Sequence, residues 1–395
     1  MIAETPEWTG RREWTKYSSQ KSDKIYLESG RYYYISALMK EGTGSDHLAV
    51  RWQMPDNTIE EPIPNSRLYY SDSELHTNFK LKASGEELIL SDASGHIIDR
   101  IGPAVLPCDI SWGRFPDGSD NWNYFYTPTP AARNLNKIYY GQCEDPVFTM
   151  ESGFYATPDQ AYISTEDPNL KIYYTTDGAI PTEQSTPYLG GIIIDKTSTI
   201  RARSFSEDLI PSRTFTKNYF IGEDYSFPVV SVTTDPYNLY DSDYGLFPYS
   251  NPYWESNLFQ DWERPANIQL FETDQKQGFE LEAGIKVHGG LTRGQTVKSL
   301  AVMARSKYGA SKINYKIFKD KELSSFNNIV LRNGGNDCAY AIMRDAFMHA
   351  IIRGEMDLEL SSSRPAVVYL NGNYWGVHDI REKLNEHFIA GNRNI

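Results

Sequence analysis

The stretch PAVVYLNGNYWGVHDIREK, residues 365–383, sets Asn371-Gly372 between two runs rich in aromatic and β-branched residues. A two-residue turn between antiparallel strands needs φ > 0 at both positions, and Asn-Gly adopts that conformation more readily than almost any other pair. A β-hairpin is therefore required here. The same punctuation recurs at Asp177-Gly178, after IYYTT, and around Ala93–Gly95 in ILSDASGHIID. A chain so punctuated, carrying 28 Tyr and 8 Trp in 395 residues, folds mainly into β-structure and buries enough apolar surface not to be disordered.

A second feature is chemical. KVHGGLTRGQTVKSLAVMARSKYG, residues 286–309, combines glycines with a Lys-Ser pair. A P-loop needs G-x-x-x-x-G-K-[ST] leading into a helix, so that backbone N–H groups and the helix N-terminus meet the phosphates. Gly289 and Gly294 have the spacing, but Gln295 replaces the lysine and Lys298-Ser299 come three residues late. Apolar residues at 300, 302 and 304 then repeat with a period of two, which predicts a strand. Two readings stay open: a plain hairpin with a solvated lysine, or a glycine turn and strand lysine that hold ATP as in protein kinases.

Length predicts two to four domains. No run of about 18 apolar residues exists to span a membrane, and MIAETPEWTGRREW lacks the apolar core of a signal peptide. Cys108, Cys143 and Cys338 are too scattered for a disulfide framework or a metal knuckle, and the histidines show no zinc spacing. The chain is acidic, net −13, yet Ala283–Lys319 holds eight basic residues and no acidic one. That segment is either a positive field suited to phosphate or an acidic partner, or a solvated sheet face. Nucleic acid is disfavoured by the overall charge.

Along the chain, two strands are expected around a turn at Gly42–Asp46, and a buried strand at PVVSVTT, residues 228–234. Asp241 and Asp243 after it are either cation ligands or turn formers. Ala339–Arg353 places Tyr340, Met343, Phe347 and Ile351 on one face, which predicts a packed amphipathic helix capped by Asp337 and stopped by Gly354. A short charged helix follows the hairpin.

Several stretches resemble known families. AGIKVHGGLTR, VKSLAVMARSKYG, IVLRNGGND, MRDAF and VYLNGNYWGVHDIREK, in this order, are similar to the CotH kinase family, an atypical kinase of spore-coat and secreted bacterial proteins. EDPVFTMESGFYATPDQAYIST with IYYTTDGAIPT resembles the small β-sandwich that follows the barrel of chitobiases and β-hexosaminidases; without paired carboxylates in a catalytic barrel, hydrolysis is not expected. IYLESGRYYYISALMK and its continuation resemble the C-terminal half of a protective-antigen-type sandwich, and LILSDASGHIIDRIG with SWGRFPDGSDNWNYF the latter half of a lamin-tail domain. The implied organisation is 1–70, 71–140, 141–224 and 225–395: sandwich modules, then an incomplete α+β atypical kinase-like domain.

The CotH resemblance implies an extracellular or cell-surface kinase that transfers phosphate from ATP, with Mg2+, to protein hydroxyls. It makes Lys298 the phosphate-contacting lysine, with Gly289, Gly290 and Arg293 forming the loop beside it. Tyr374 and Trp375 either stack on adenine or pack under the hairpin. Glu382 either orients Lys298 or is a surface charge, and Arg344-Asp345 are a helix ion-pair residue and its neighbour. The family's metal-binding aspartates lie downstream of the hairpin, beyond Ile395, so the chain alone is expected to be inactive. The alternative is a non-catalytic protein whose sandwiches bind glycan or cell wall.

Overall fold

The computed structural model describes residues 3–6, 9–10, 12–28, 31, 33, 49–61, 63, 82, 85–104, 106–107, 110–130, 132–356 and 358–393. The chain divides into two units, Met1–Ala104 and Val105–Ile395, a division that falls inside the 71–140 stretch.

In the first unit the described residues form two short antiparallel pairs, Trp52–Gln53 with Ile59–Glu60 and Leu88–Ser91 with Ile97–Ile101. The latter is the hairpin expected around Ala93–Gly95; Asp92 Oδ1 accepts from the N–H of Ser94 and of His96, and Gly95 takes φ 85°. The turn expected at 42–46 and the boundary between the 1–70 and 71–140 stretches lie outside the described residues.

The second unit opens with the hairpin Ser111–Arg114/Trp122–Phe125. A sandwich-like module follows. It has one five-stranded sheet, in the order Thr186–Pro187, Lys171–Thr175, Ser198–Phe205, Phe215–Ile221, Gly153–Tyr155, and two strand pairs. Phe148, Ile163, Ile194, Ile200, Ala202 and Tyr219 fill its core. Cys143 is buried and free, its thiol pushed up to about 11 by burial.

Seven strands then close a barrel: β1 Val229–Thr233, β2 Arg264–Phe271, β3 Gln277–His288, β4 Ser299–Met303, β5 Asn328–Arg332, β6 Ser363–Leu370 and β7 Asn373–Glu382, ordered β1-β2-β3-β4-β5-β7-β6. β6 runs parallel to β1 and the other neighbours are antiparallel. Alternate residues point inward, so Val230, Val232, Ile268, Ile285, Leu300, Val302, Leu331, Val368 and Ile380 form one core. The strand expected at residues 299–304 is present, but both of its faces are buried, because Ala301 and Met303 pack with Val330 on the outside. Asn371 and Gly372 take φ 50° and 74°, as the hairpin requires.

The outer face of β1, β2 and β6 is covered by the sandwich. Odd residues of Ser198–Phe205 and even residues of Phe215–Ile221 face it, while their neighbours line the sandwich core. Phe220 meets Phe271 at 5.3 Å and Tyr369 at 5.1 Å between ring centroids. Gln269 Nε2 donates to the Thr216 carbonyl at 3.3 Å, and Tyr225 Oη lies 2.7 Å from Tyr369 Oη. The mainly β, multidomain fold with a mixed α+β C-terminal region is thus the one found.

Among the described residues three α-helices are added: α1 Pro236–Tyr240, α2 Arg344–Ile352 and α3 Glu386–Arg393. α2 corrects the expected Ala339–Arg353 helix. It starts five residues later, at Arg344, with no side-chain cap, because Asp337 sits in a 3-10 turn and pairs with Arg344 at 2.8 Å. Gly354 does end it, at φ 84°. No residue of α2 is buried. The apolar stripe predicted to pack is exposed, with Phe347 58% and Ile351 52% accessible.

Candidate functional site

One rim of the barrel gathers most of the expected site. β3 ends at His288 and the chain turns through Gly289 and Gly290, then a 3-10 turn Leu291–Gly294 leads back toward β4. Gly289 has φ 112°, and a Cβ there would stand 2.8 Å from Thr292 Oγ1, so glycine is required on two counts. A second glycine turn lies alongside. Asn333 Nδ2 donates to the Val297 carbonyl at 2.6 Å, Ser299 Oγ donates to Asn333 Oδ1 at 2.7 Å, and the Gly335 N–H donates to the same oxygen at 3.0 Å.

Arg293 braces the first turn rather than facing a ligand: Nε donates to the Gly289 carbonyl at 2.6 Å and Nη1 to the Leu258 carbonyl at 3.0 Å. Lys298, only 8% exposed, is in phase with Leu300 and Val302 and so turns into the barrel mouth. Its Nζ donates to the Gln295 carbonyl at 2.8 Å and stands 5.3 Å from the Phe247 ring centroid. Among the described residues no carboxylate is within ion-pair distance of this amine, and burial holds its pKa below the usual lysine range. The solvated-lysine reading is excluded.

Trp375 stacks on Phe247, at 5.9 Å between ring centroids and 14°. Its Nε1 is buried without a partner. Tyr374 faces elsewhere, edge-on to Tyr369 at 5.9 Å. A β-bulge falls here, between the pairs Val368–Gly376 and Tyr369–Tyr374, and Trp375 packs on the barrel core while Tyr374 meets the outward Tyr369, so the two rings do not clasp one base. Phe247 and His378, which completes the mouth with Nε2 donating to the Lys298 carbonyl at 3.1 Å, were not singled out from sequence. Burial keeps that imidazole neutral by lowering its pKa.

Glu382 corrects an expectation. It lies opposite Ile329 on β5, which in turn opposes Val302 on β4. That is four positions along the strand from Lys298, about 13 Å, and two strands away. Its carboxylate instead accepts from Lys321 Nζ at 2.6 Å, from the Ser362 N–H at 2.8 Å and from Asn392 Nδ2 at 3.1 Å. Glu382 is therefore half of a buried ion pair that ties α3 and the 320s to the far end of the barrel.

Outside the mouth, β3, β4, β5 and β7 present a charged wall. Register sets Lys286, Ala301, Val330 and Arg381 in one row, with His288 and Ser299 in the next, where Arg332 opposes Asp379. Asp345 of α2 lies 2.6 Å from Arg381 Nη1 and 3.3 Å from Arg332 Nε. Burial, then the charges of Lys383, Arg332, Arg293 and Lys286, push the His288 pKa down to about 4. Asp241 is a turn former, accepting from the N–H groups of Asp243 and Tyr244. Among the described residues no group of three or more His, Cys, Asp or Glu could hold a metal ion.

No curated protein matches the chain. Residues 150–216 match the family described as chitobiase/beta-hexosaminidase C-terminal domain. Neither this match nor the next reaches residues 1–140, where the protective-antigen-type and lamin-tail halves were expected. Residues 285–394, from the last residues of β3 through α3, match the family described as CotH kinase protein, so a CotH kinase domain here follows a chitobiase-type module.

Proposed function

We propose that the barrel is the nucleotide-binding part of an extracellular or cell-surface CotH-type protein kinase, which transfers phosphate from ATP to protein hydroxyls. Lys298 carries the reading. A mostly buried ammonium with one backbone acceptor, no carboxylate, and an orphaned indole N–H on the neighbouring Trp375 is a donor set short of an acceptor. Phosphate oxygens at the glycine rim would satisfy it, and a fixed cation there stabilises charge that grows during phosphoryl transfer. The family also uses Mg2+. The described residues do not fit a metal, so no step is derived through one, and what these residues do is bind and orient the nucleotide.

Calorimetric titration with ATP tests this. Binding is expected, and Lys298→Met should weaken it about tenfold or more, roughly 1.4 kcal/mol. Absence of binding, or equal affinity in the variant, overturns the assignment.

One observation favours the alternative, a carbohydrate-binding role. The hairpin Ser111–Arg114/Trp122–Phe125 places Trp112, Arg114, Trp122 and Tyr124 on one face, with Trp112 4.9 Å from Trp122 and 6.3 Å from Tyr124. Such a row offers flat rings for the apolar faces of sugars. Glycan binding that is lost in Trp112→Ala, together with no ATP affinity, would favour this second reading.

A further inference from the structure

The charged wall outside the barrel has a composition that its own ion pairs do not explain. Lys286 pairs with Asp261, and Arg332 and Arg381 share Asp345. Lys383, one residue beyond the end of β7, lies near enough to His288 and Asp261 to act on both electrostatically, and among the described residues no carboxylate lies within ion-pair distance of it. Arg332 Nε is buried with no acceptor aligned to it. Five cations, Lys286, Arg293, Arg332, Arg381 and Lys383, thus face three carboxylates, Asp261, Asp345 and Asp379. Asp379 is itself buried, and burial raises its pKa. His288 stands in this field, which adds to burial in keeping its imidazole neutral. The middle of the row is Ala301 and Val330, 2% and 3% exposed, short side chains between long cationic ones.

Uncompensated like charge in a folded protein costs stability unless an anion occupies it. An arginine fork and two lysines suit phosphate oxygens, which accept several charge-assisted hydrogen bonds at once. We propose that this outer wall is an oxyanion site for a diphosphate-sized group, held by Lys383, Lys286 and Arg332 beside His288 and distinct from the interior-facing Lys298. The site rests on the nucleotide reading only for the source of its phosphates.

Inorganic pyrophosphate is the probe, added to the full chain at low salt. Calorimetry should show binding that weakens about tenfold in Lys383→Ala and returns in Lys383→Arg. In parallel, the His288 ring resonances should show its pKa rising by about one unit with pyrophosphate present, because an anion offsets the surrounding cations. Pyrophosphate that leaves the His288 titration unmoved, or binds equally to Lys383→Ala, overturns the site. ATP separates the two claims. ATP binding with no response of His288 to pyrophosphate refutes the wall and leaves the nucleotide reading standing; a His288 response without ATP affinity does the reverse.

Discussion

One barrel carries two outer walls, and they obey opposite rules. Under the sandwich, the outward positions of β1, β2 and β6 are Val229, Ser231, Thr233, Asn267, Gln269, Phe271, Val367 and Tyr369, all buried and none charged. On β3, β5 and β7 the equivalent positions hold Lys286, His288, Arg332, Asp379 and Arg381. Strand geometry is the same on both sides, so the difference lies in what lies above. Burying an unpaired charge costs several kcal/mol, which excludes charge where another module docks; on the other wall Arg381, only 5% exposed, is tolerated because it is paired with Asp345. Arg201 is the exception. It is buried at the docking face, satisfied in part by the Gly178 carbonyl at 2.8 Å, and burial draws its pKa down.

The strongest test of this contrast is Phe271→Ala. The ring is fully buried between Phe220 at 5.3 Å and Phe154 at 5.9 Å, at the junction of barrel and sandwich. Its loss should destabilise the second unit by about 3–5 kcal/mol in denaturant unfolding. A loss below about 1 kcal/mol would mean that the sandwich does not cover this wall in solution.

Much of this was legible locally. Asn371-Gly372 and Ala93–Gly95 encode their own turns, and the period of two from Leu300 to Ala304 encodes β4. It also encodes more than was first drawn from it: Lys298 is in phase with Leu300, so its inward direction is written in the sequence. Pairings across long separations were not legible. Glu382 and Lys321 are 61 positions apart, and nothing short of the barrel's register shows that Glu382 is at the far end from Lys298. The α2 stripe shows the reverse failure, since periodicity reports an apolar face but not whether anything packs on it.

A smaller effect should distinguish the charged wall. The His288 pKa in the fold is about 4, against an ordinary 6.5. Above pH 6.5 the imidazole is neutral in both folded and unfolded chain, and the native state keeps its full advantage. As pH falls from 6.5 toward 4, the unfolded chain takes up a proton that the folded one refuses, so stability drops. Allowing for screening at a partly accessible site, the loss is about 1–2 kcal/mol. His288→Gln should remove this increment, which unfolding free energies of both proteins measured across pH 4–7 would reveal as a flatter profile in the variant. Parallel profiles would place His288 outside the cationic field.

The smallest effect is expected where an aromatic ring has no cover. Phe347 on α2 has the same side chain as Phe271 but is 58% exposed, beside Met343, Met348 and Ile351, which are 68%, 55% and 52% exposed. Removing it vacates no cavity, and alanine is a better helix former, so Phe347→Ala should change unfolding free energy by no more than about 0.5 kcal/mol. Comparison with Phe271→Ala then measures what docking adds to one residue type. A cost above about 1 kcal/mol would mean the stripe is covered in solution; if protein concentration also changes that cost, the cover is a second copy of the chain.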